Sequence, residues 1–424
     1  MLIYLETYGC SANLNNAEII RGLITQAGLD LVTNEKLAEL IILNTCIVKS
    51  PTENKIKSRI IELEKLNKPI IITGCMPDVR FRELQRKNIY LLSNKNIKQI
   101  CNLIKSIQDS SYNQNKFLIQ RAETKLNLAK INENKKIGIT QISEGCLGEC
   151  NYCITRFAKG KLFSYSQEDI IKNIEQDIKN GCKEIWITSQ DNASYGLDDK
   201  NYKLPDLLKR ILEIEGKFRI RLGMMNPNNI LPILSTLIEI YQDNKMYKYL
   251  HIPIQSASNK ILKSMNRFYK KEDFLKIVKE FKSKIPEISI ATDVIVGYPG
   301  ETEKDFIETY KLIESIQPDQ LNVNRYWAIK GTKAALEKQT SSEISKKRAE
   351  KLMKLYSRSI RESNKRLLNS IQKSLVYDHF NNHYLARTQN YKLVTFKSEK
   401  NLLGKIVNLK IIKTEQNHLV GAIQ

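Results

Sequence analysis

The sequence lacks the long apolar segments and the leader that membrane and secreted proteins carry. No apolar run in its 424 residues reaches the roughly 18 residues needed to span a bilayer. The N-terminus meets an acidic side chain at Glu6 after only a few apolar residues, too early for a signal peptide. We therefore expect a soluble, cytoplasmic protein that has no membrane partner.

The amino-acid composition excludes a disulfide scaffold and a wholly disordered chain. The chain has only 8 cysteines, too few for a stapled scaffold of this length. Apolar residues make up 42% of the chain, which is enough to build large cores. In a cytosolic chain, clustered cysteines more often indicate metal or redox chemistry than disulfide bridges.

Acidic residues are outnumbered by basic ones. The chain has 68 Lys and Arg against 46 Asp and Glu, a formal net charge of +22. An excess of this size is typical of proteins with a polyanionic partner, most often nucleic acid. A chain crowded with Lys, Ile and Asn is also what AT-rich coding produces, so composition alone leaves both explanations open.

The first segment alternates short apolar runs with helical patterns. Three buried strands are predicted at Leu2–Thr7, Leu40–Asn44 and Pro69–Thr73. Strand–helix repetition of this kind predicts an α/β domain with a doubly wound parallel sheet. The polar stretch Asp109–Asn115 reads as a linker, so we expect the domain to cover residues 1–115.

The second segment contains six predicted strands at fairly even intervals, with helical patterns between them. The strands are Ile137–Ile142, Glu184–Thr188, Arg219–Met224, Tyr249–Ile254, Ile290–Val296 and Gln320–Tyr326. The clearest helices are Asp169–Lys179, Pro205–Glu215 and Thr302–Ile316. Six strand–helix units predict an open TIM-like barrel over residues 132–340, with its chemistry at the carboxyl ends of the strands.

A basic amphipathic helix and a small β module are predicted to complete the chain. The helix is expected from Ser345 to about Gln372, inside a connecting region of residues 341–372. Beyond it, apolar residues alternate with period two at Leu409–Ile412 and Leu419–Ile423. This alternation predicts an all-β module over residues 373–424.

The most specific local pattern is a CxxxCxxC run formed by Cys146, Cys150 and Cys153, directly after the first predicted barrel strand. Three thiolates in one loop can hold three irons of a 4Fe–4S cluster and leave the fourth iron without a protein ligand. That iron can bind S-adenosylmethionine, which one electron then cleaves to a 5′-deoxyadenosyl radical. The alternative is a three-cysteine zinc site, although no histidine lies close in sequence.

A second cysteine trio is dispersed along the first domain. Cys10, Cys46 and Cys75 each follow one of its three predicted strands. Because the carboxyl ends of parallel strands lie at one edge of a sheet, we expect the three thiols to converge there. The alternative is inert core cysteines, the interpretation that we favour for Cys101 and Cys182.

Polar side chains near the predicted strand ends are candidates for binding S-adenosylmethionine. They are Tyr152, Gln190, Asp191, Gln255, Ser256, Gly297 and Glu301. Tyr152 would stack on the adenine ring, unless it only packs within its loop. A helix N-cap is the alternative for Asp191, and we favour a hydrogen-bonded core residue over a catalytic base for His251.

Basic residues concentrate near the C-terminus. Between Ser341 and Ser374, ten basic residues stand against three glutamates, which predicts a phosphate-binding face or, alternatively, a solvated helix face. The residues that we expect to bind RNA are Lys351, Lys354, Arg358, Arg361, Arg387 and Lys392. Aromatic side chains among them would stack on bases, namely Tyr384, Tyr391 and Phe396.

Together these motifs resemble the radical S-adenosylmethionine methylthiotransferase family over almost the whole chain. Motifs of the family's first domain are similar to three stretches of this chain: YGCSANLNNAE, NTCIV around Cys46 and TGCMP around Cys75. Its barrel motifs are similar to ITSQDNASYG, RLGMMNPNN, HIPIQSAS and TDVIVGYPGET, and its RNA-binding TRAM domain resembles the last 50 or so residues. TSQD…YG and GMMNP look like the archaeal and eukaryotic branch, which acts on N6-threonylcarbamoyladenosine beside the tRNA anticodon.

The resemblance implies the cofactors and the partners. It implies two 4Fe–4S clusters and S-adenosyl-L-methionine, with Cys10, Cys46 and Cys75 holding the cluster that carries the sulfur to be inserted. It also implies a tRNA substrate, an electron donor such as ferredoxin or flavodoxin, and a sulfur source. Alternatives are methylthiolation of isopentenyladenosine in tRNA or of a ribosomal-protein aspartate, and a non-catalytic iron–sulfur RNA-binding protein.

The chain departs from the family pattern at a few positions. Asp78 stands where Gln is frequent, and Trp327 to Lys330 replace most of a Ser-x-Arg-x-Gly-Thr run. Lys159 stands where an Arg-Gly pair is usual, and Phe163 where a further Arg is common. These departures leave both cysteine trios intact and concern the substrate contacts.

Overall fold

Runs of isoleucine and leucine build the N-terminal sheet, because a parallel strand buried on both faces needs successive apolar side chains. The computed structural model describes residues 1–48, 50–113, 117 and 123–424. In it, five parallel strands are Leu2–Thr7, Asp30–Val32, Leu40–Thr45, Ile70–Gly74 and Ile89–Leu91. Their spatial order is second, first, third, fourth, fifth, which confirms the doubly wound sheet.

Helices cover both faces of this sheet. They are Ser11–Gln26, Ser50–Glu64, Pro77–Leu84 and Ile100–Gln108, with a 3-10 segment at Asn94–Gln99. The two strands that the sequence did not indicate, Asp30–Val32 and Ile89–Leu91, are three residues long and occupy the sheet edges. Of the predicted linker, residues 114 and 115 lie outside the described residues.

Six parallel strands form the central barrel in two halves of three. They are Ile137–Gln141, Glu184–Thr188, Arg219–Leu222, Tyr249–His251, Ser289–Val296 and Gln320–Arg325. A parallel bridge between Ile220 and Met246 joins the halves. Within the described residues no pairing joins the first strand to the sixth, so the barrel is open as expected.

Amphipathic helices pack their apolar faces on the outside of this barrel. They are Gln167–Lys179, Leu204–Glu213, Pro227–Ile230, Leu234–Tyr241, Asn259–Ser264, Lys271–Lys284 and Glu303–Ile316. A further short helix, Thr155–Lys159, packs against the N-terminal domain instead. The helix Glu303–Ile316 begins at a capping box, in which Thr302 and Asp305 satisfy each other's backbone N–H groups. The strands therefore keep their carboxyl ends free for loops that carry functional groups.

The basic helix is shorter than the sequence predicted. It covers Ser342–Lys365 rather than extending to Gln372. Asn369 adopts a left-handed conformation with φ of 64°, and Ile371 already pairs with Lys410 as the first residue of a strand. Helical spacing misled the prediction here, because Leu367 and Ile371 are apolar residues four apart but do not belong to the helix. Leu367 packs against the core of the β module, and Ile371 is the first residue of one of its strands.

The C-terminal module is a closed barrel, which confirms the all-β prediction and moves its start to Ile371. Its strands are Ile371–Phe380, His383–Thr388, Leu393–Lys397, Ile406–Thr414 and Leu419–Ile423. Tyr384 and Phe396 are buried in its core. The prediction that these two rings stack on RNA bases is therefore wrong, because their faces are covered by neighbouring side chains.

The module docks against the amino-terminal ends of the central barrel strands. The backbone N–H of Lys248 donates to the carbonyl of Gln389 at 2.8 Å. The ammonium group of Lys392 donates to Asp319 at 2.9 Å and to Asn364 at 3.1 Å. Lys392 is thus an interdomain contact, and the prediction that it binds RNA is wrong.

Arg387 is likewise buried at this interface instead of facing RNA. Its guanidinium lies 3.2 Å from the Glu184 carboxylate and 4.4 Å from the ring centroids of both Tyr377 and Tyr391. Glu184 also accepts a hydrogen bond from the Tyr391 hydroxyl at 3.2 Å. A count of positive charges along the sequence could not separate this neutralised arginine from an exposed one.

No helix among the residues described is long and apolar enough to cross a bilayer.

Replacing Arg387 by methionine is expected to loosen the module, because it leaves the fully buried Glu184 carboxylate without its cation. Breaking a buried ion pair on one side costs about 3–5 kcal/mol. We expect a lower midpoint of thermal unfolding and faster proteolysis of the connection at residues 366–370. Lys397→Met, at an exposed position of the same module, is the matched control. Equal behaviour of the two variants would contradict this role.

Candidate functional site

The three dispersed cysteines converge at the carboxyl edge of the N-terminal sheet, as predicted. Gly9 permits the approach of the first two loops, because it has φ of +118° and a Cβ there would lie 2.9 Å from the Cβ of Cys46. The pKa of Cys75 is raised to about 12, chiefly by burial, against a lowering effect of Lys159 and with smaller raising effects of the neighbouring Cys10 and Cys46 thiols. The thiols thus lie within electrostatic range of one another.

Asn13, which the sequence patterns did not indicate, ties the three cysteine loops together. Its amide nitrogen donates to the carbonyls of Tyr8 at 2.9 Å and Thr45 at 2.8 Å. Its amide oxygen lies 3.9 Å from the sulfur of Cys75. A polar residue buried in the first turn of the helix after Cys10 is the feature that could have revealed it.

The second trio, Cys146, Cys150 and Cys153, lies in the loop after the first barrel strand. Backbone N–H groups point at its sulfurs: Gly148 donates to Cys146 at 3.2 Å and Thr155 to Cys153 at 3.4 Å. Such bonds stabilise anionic sulfur and tune iron–sulfur centres. Burial raises the pKa of Cys146 to about 12, so its thiolate requires a bound cation at neutral pH.

The donor sets fit 4Fe–4S clusters. A Cβ on Gly148 would lie 3.3 Å from the Cys146 sulfur and 3.7 Å from the Cys150 sulfur, so these two sulfurs flank the glycine backbone. In the described part of the chain, no three His, Cys, Asp or Glu side chains are arranged to hold a metal ion. A 4Fe–4S cluster has a different requirement, because each thiolate binds a separate iron at a separate corner.

The two trios are joined by one small apolar cluster. Cys75 and Ile47 from the first domain pack with Ile154 and Ala158, which follow Cys153. Ile329, from the loop after the sixth barrel strand, completes this cluster. The departure from the family pattern at Trp327 to Lys330 therefore lies at the junction between the trios.

Arg267 is a second functional residue that the sequence patterns did not indicate. Its guanidinium donates to the Cys150 sulfur at 3.2 Å, to the Tyr269 hydroxyl at 3.3 Å and to the Asn226 side chain. It therefore connects Cys150 with the loop after the third barrel strand. The sequence signal for it is an Arg-x-Tyr pair placed shortly after the fourth strand.

Asp191 is the anchor of the same network. Its carboxylate accepts hydrogen bonds from the backbone of Ala193 at 3.2 Å and from the backbone of Asn226 at 3.0 Å. The side-chain amides of Asn226 and Asn229 donate at 2.8 and 2.7 Å. The N-cap role that we considered as the alternative is thus present, and contact with S-adenosylmethionine stays a prediction.

Three other candidates keep features that suit ligand binding. The side-chain oxygen of Gln190 is buried and has no hydrogen-bond partner among the described residues. Gln255 has φ of 64°, a left-handed conformation that is uncommon for a non-glycine residue and often marks functional sites. The Tyr152 ring packs edge-on against Tyr298, with centroids 6.4 Å apart. Their contact with the cofactor stays a prediction.

The remaining candidates are engaged within the protein. The Ser256 hydroxyl accepts from the backbone N–H of Ser258 at 3.2 Å. Glu301 accepts from the backbone of Gly297 at 2.6 Å and pairs with Arg348 of the basic helix at 2.7 Å. These contacts anchor the start of that helix on the barrel. Cofactor binding by Ser256, Gly297 and Glu301 stays a prediction.

His251 is hydrogen-bonded, as we favoured from the sequence. Its Nε2 lies 2.6 Å from the carboxylate of Asp293, on the neighbouring strand. The Asn322 side chain donates to the other oxygen of that carboxylate at 3.0 Å. The three residues form a polar layer across the last three barrel strands.

Four of the six predicted RNA contacts remain exposed on the basic helix. Lys351 and Arg361 have weak partners, Glu303 at 3.5 Å and Gln416 at 3.4 Å. Lys354 and Arg358 face solvent, and Arg358 only approaches Glu362 at 4.0 Å. Exposed pairs of this kind contribute little to stability, so the cations are available to phosphates.

Two profile matches and the solved structures agree with this architecture. Residues 140–313 match the Radical SAM superfamily, and residues 2–92 match the Uncharacterized protein family UPF0004. The fold is similar to that of the radical S-adenosylmethionine methyltransferase TsrM from Kitasatospora setae, with a TM-score of 0.59 over 79% of this chain and 75% of that one, at 12% identity. The cobalamin-dependent radical enzyme OxsB has a TM-score of 0.53 over 86% of this chain and 61% of its own, at 11% identity.

Replacing Arg267 by methionine is expected to remove the hydrogen bond to the Cys150 sulfur and the link to Asn226. Loss of such an outer contact typically costs about 10–100-fold in activity at a metal site. We expect slower formation of 5′-deoxyadenosine and a more negative reduction potential for the cluster at this trio. Arg267→Lys keeps the positive charge but lacks the planar guanidinium group, so it should reverse part of the shift in reduction potential. An unchanged potential in Arg267→Met would show that the bond is incidental.

Curated relatives match this chain over nearly its full length. The probable threonylcarbamoyladenosine tRNA methylthiotransferase of Archaeoglobus fulgidus is 37% identical over 100% of this chain and 99% of its own. That of Pyrococcus abyssi is 40% identical over 92% of both chains. The threonylcarbamoyladenosine tRNA methylthiotransferase of Homo sapiens is 32% identical over 99% of this chain and 73% of its own. The chain belongs to the family of threonylcarbamoyladenosine tRNA methylthiotransferases, which are radical S-adenosylmethionine enzymes.

Proposed function

We propose that the protein converts N6-threonylcarbamoyladenosine next to the tRNA anticodon to its 2-methylthio derivative. The observation that carries the proposal is the meeting of two cysteine trios at one apolar junction, one of them in the CxxxCxxC loop. The relatives that share the full length of the chain are named for this reaction. Methylthiolation needs both a radical and a sulfur source at the same carbon.

The reaction explains why two trios are required. It replaces the C2–H bond of adenine by C2–SCH3, and no general base in a protein removes a proton from that unactivated carbon. When bound, the two 4Fe–4S clusters and S-adenosylmethionine would supply the radical, the sulfur and the methyl group. Cys146, Cys150 and Cys153 would hold the radical-forming cluster, and Cys10, Cys46 and Cys75 the sulfur-carrying one.

The chain's own residues keep these groups in place. Asp191 orients Asn226, which in turn holds Arg267 against the Cys150 sulfur. Ile154 and Ile329 close the junction with apolar side chains, which excludes water from the space between the trios. A dry, fixed junction protects a radical from side reactions.

For tRNA, we propose that the exposed face of the basic helix binds the phosphate backbone. Lys354 and Arg358 face solvent on that helix, and exposed lysines at 373, 397 and 405 extend the positive surface over the module. Cations that neutralise phosphates release bound counterions, which makes the affinity depend on salt. The module thus adds charge from its outer strands rather than from Arg387 or Lys392.

Two further partners follow from the proposed reaction. Reductive cleavage of S-adenosylmethionine consumes electrons, so we propose a donor such as ferredoxin or flavodoxin. Each turnover also consumes one sulfur atom, which requires a sulfur source. A cytoplasmic location, where tRNA is modified, stays a prediction.

Nucleoside mass spectrometry of tRNA tests the reaction directly. In a host that lacks the modification, the wild-type protein should add a methylthio group to threonylcarbamoyladenosine. The variants C10A/C46A/C75A and C146A/C150A/C153A should both lose the product, because each removes one cluster. Only the first should still form 5′-deoxyadenosine from S-adenosylmethionine.

Other outcomes of the same experiment would select other functions. A methylthio group on isopentenyladenosine would move the substrate to that branch, and unmodified tRNA would favour a protein substrate. About four irons per chain and no 5′-deoxyadenosine would indicate a non-catalytic iron–sulfur protein. Cleavage of S-adenosylmethionine by C146A/C150A/C153A would contradict the assignment of the radical trio.

Reversing two charges on the helix tests the tRNA surface. The variant K354E/R358E is expected to weaken tRNA binding and to lower the slope of log affinity against log salt by about 2, because two phosphate contacts are lost. Uncoupled cleavage of S-adenosylmethionine should not change. K209E/K217E reverses two exposed lysines of the barrel exterior and serves as the control. Equal salt slopes for both double variants would exclude this helix face.

A further inference from the structure

A lysine is fully buried between the two cysteine trios. Lys159, the last residue of the helix Thr155–Lys159, is 1% exposed. Its ammonium group donates to the side-chain oxygen of Asn94 at 2.6 Å and lies 3.7 Å from the carboxylate of Glu144. A lysine is rarely buried to this degree unless its charge is compensated.

Its neighbours do not neutralise it. Glu144 is paired with Lys125, whose ammonium nitrogen lies 2.6 Å from the carboxylate oxygen, whereas that of Lys159 lies 3.7 Å from it. Although burial raises the pKa of Glu144, the ammonium groups of Lys125 and Lys159 lower it to about 2, so this carboxylate is ionised. One carboxylate therefore stands between two buried cations.

The surrounding charges leave a positive excess. The buried lysines at this interface are Lys95, Lys125 and Lys159, and the carboxylates facing them are Glu144 and the half-buried Asp78. The buried pair Arg80 and Glu53, at 3.2 Å, is neutral as a unit. Among the residues that the structure describes here, three ammonium groups against two carboxylates leave one positive charge without an anion.

Lys159 adjoins the N-terminal trio. Ala158, the residue before Lys159, packs in the same apolar cluster as Cys75. Asn94, its hydrogen-bond acceptor, also accepts from Asn16 at 2.7 Å, on the helix that begins next to Cys10.

We propose that Lys159 is a positioning residue that provides the counter-charge for anionic sulfur at the Cys10, Cys46 and Cys75 site. The inference rests on the proposed function, which assigns a 4Fe–4S cluster to this trio. A cluster core of charge 2+ with three thiolates carries one negative charge, and each bound hydrosulfide adds another. A fixed cation in a buried site stabilises the more negative forms. Lys159 thus favours both reduction of this cluster and binding of hydrosulfide to it.

The test uses the full chain with only this cluster present. In the C146A/C150A/C153A background, Lys159→Met and Lys159→Gln remove the charge, whereas Lys159→Arg keeps it. Lys161→Met, at an exposed position two residues further along, is the matched control. The midpoint potential is measured by redox titration followed by electron paramagnetic resonance. We expect a shift to more negative potential in both neutral variants, and the parent value in Lys159→Arg and Lys161→Met.

Hydrosulfide titration gives a second readout that does not depend on turnover. The spectral change on adding sodium hydrosulfide should require about tenfold more hydrosulfide, or still more, in the neutral variants, as expected for loss of one charge near a buried anion. Loss of iron from both neutral variants, with full iron in Lys159→Arg, would also support the proposal, because only charge separates these proteins.

The failure of this inference is distinguishable from the failure of the proposed function. Unchanged potential and hydrosulfide affinity in Lys159→Met and Lys159→Gln would overturn the role of Lys159 while leaving the cluster assignment in place. A parent background that holds no iron would instead overturn the cluster assignment itself. In that case the N-terminal trio would not be a sulfur-carrying site.

Discussion

A buried carboxylate of the central barrel, neutralised by a cation from an adjoining element, recurs at three contacts between the described parts of the molecule. Glu144 pairs with Lys125 of the segment leading into the barrel, Glu301 with Arg348 of the basic helix and Glu184 with Arg387 of the C-terminal module. Such pairs contribute little net stability, because desolvation offsets most of the attraction, but removing one partner is costly. They therefore define how the parts fit together, since any other docking would leave a buried charge unpaired.

The proposed chemistry depends on this rigidity, because both cysteine trios would have to act on one carbon. The segment from Cys153 to Lys159 runs from a ligand of one trio to the cation beside the other. Its helical part is the five-residue helix Thr155–Lys159, so this path between the two sites is short. The apolar cluster around Ile154 and Ile329 packs the two regions against each other. A loosely docked N-terminal domain would separate the sulfur from the radical.

Sequence patterns predicted the structure correctly where it depends on apolar periodicity or on the spacing of cysteines. The parallel strands, the open barrel and the convergence of Cys10, Cys46 and Cys75 follow from such patterns. Sequence patterns did not predict the role of a residue where that role depends on its tertiary contacts. Arg387 is as basic as Arg358, yet it is sandwiched between two tyrosines and paired with Glu184. Asn13 and Arg267 were missed for the same reason, since a hydrogen bond to a distant loop leaves no periodic trace.

The excess of positive charge consequently divides into two populations with different physical meaning. Cations such as Lys125, Arg348 and Arg387 are buried and matched by carboxylates, so they contribute nothing to the field outside the protein. Lys354 and Arg358 stand in solvent without a close partner, and only cations of this kind can displace counterions from a polyanion. In the proposed function, attraction for tRNA is therefore a property of the helix face and the outer strands of the module. Lys159 belongs to the buried population, but by our proposal its charge serves the sulfur site rather than a carboxylate.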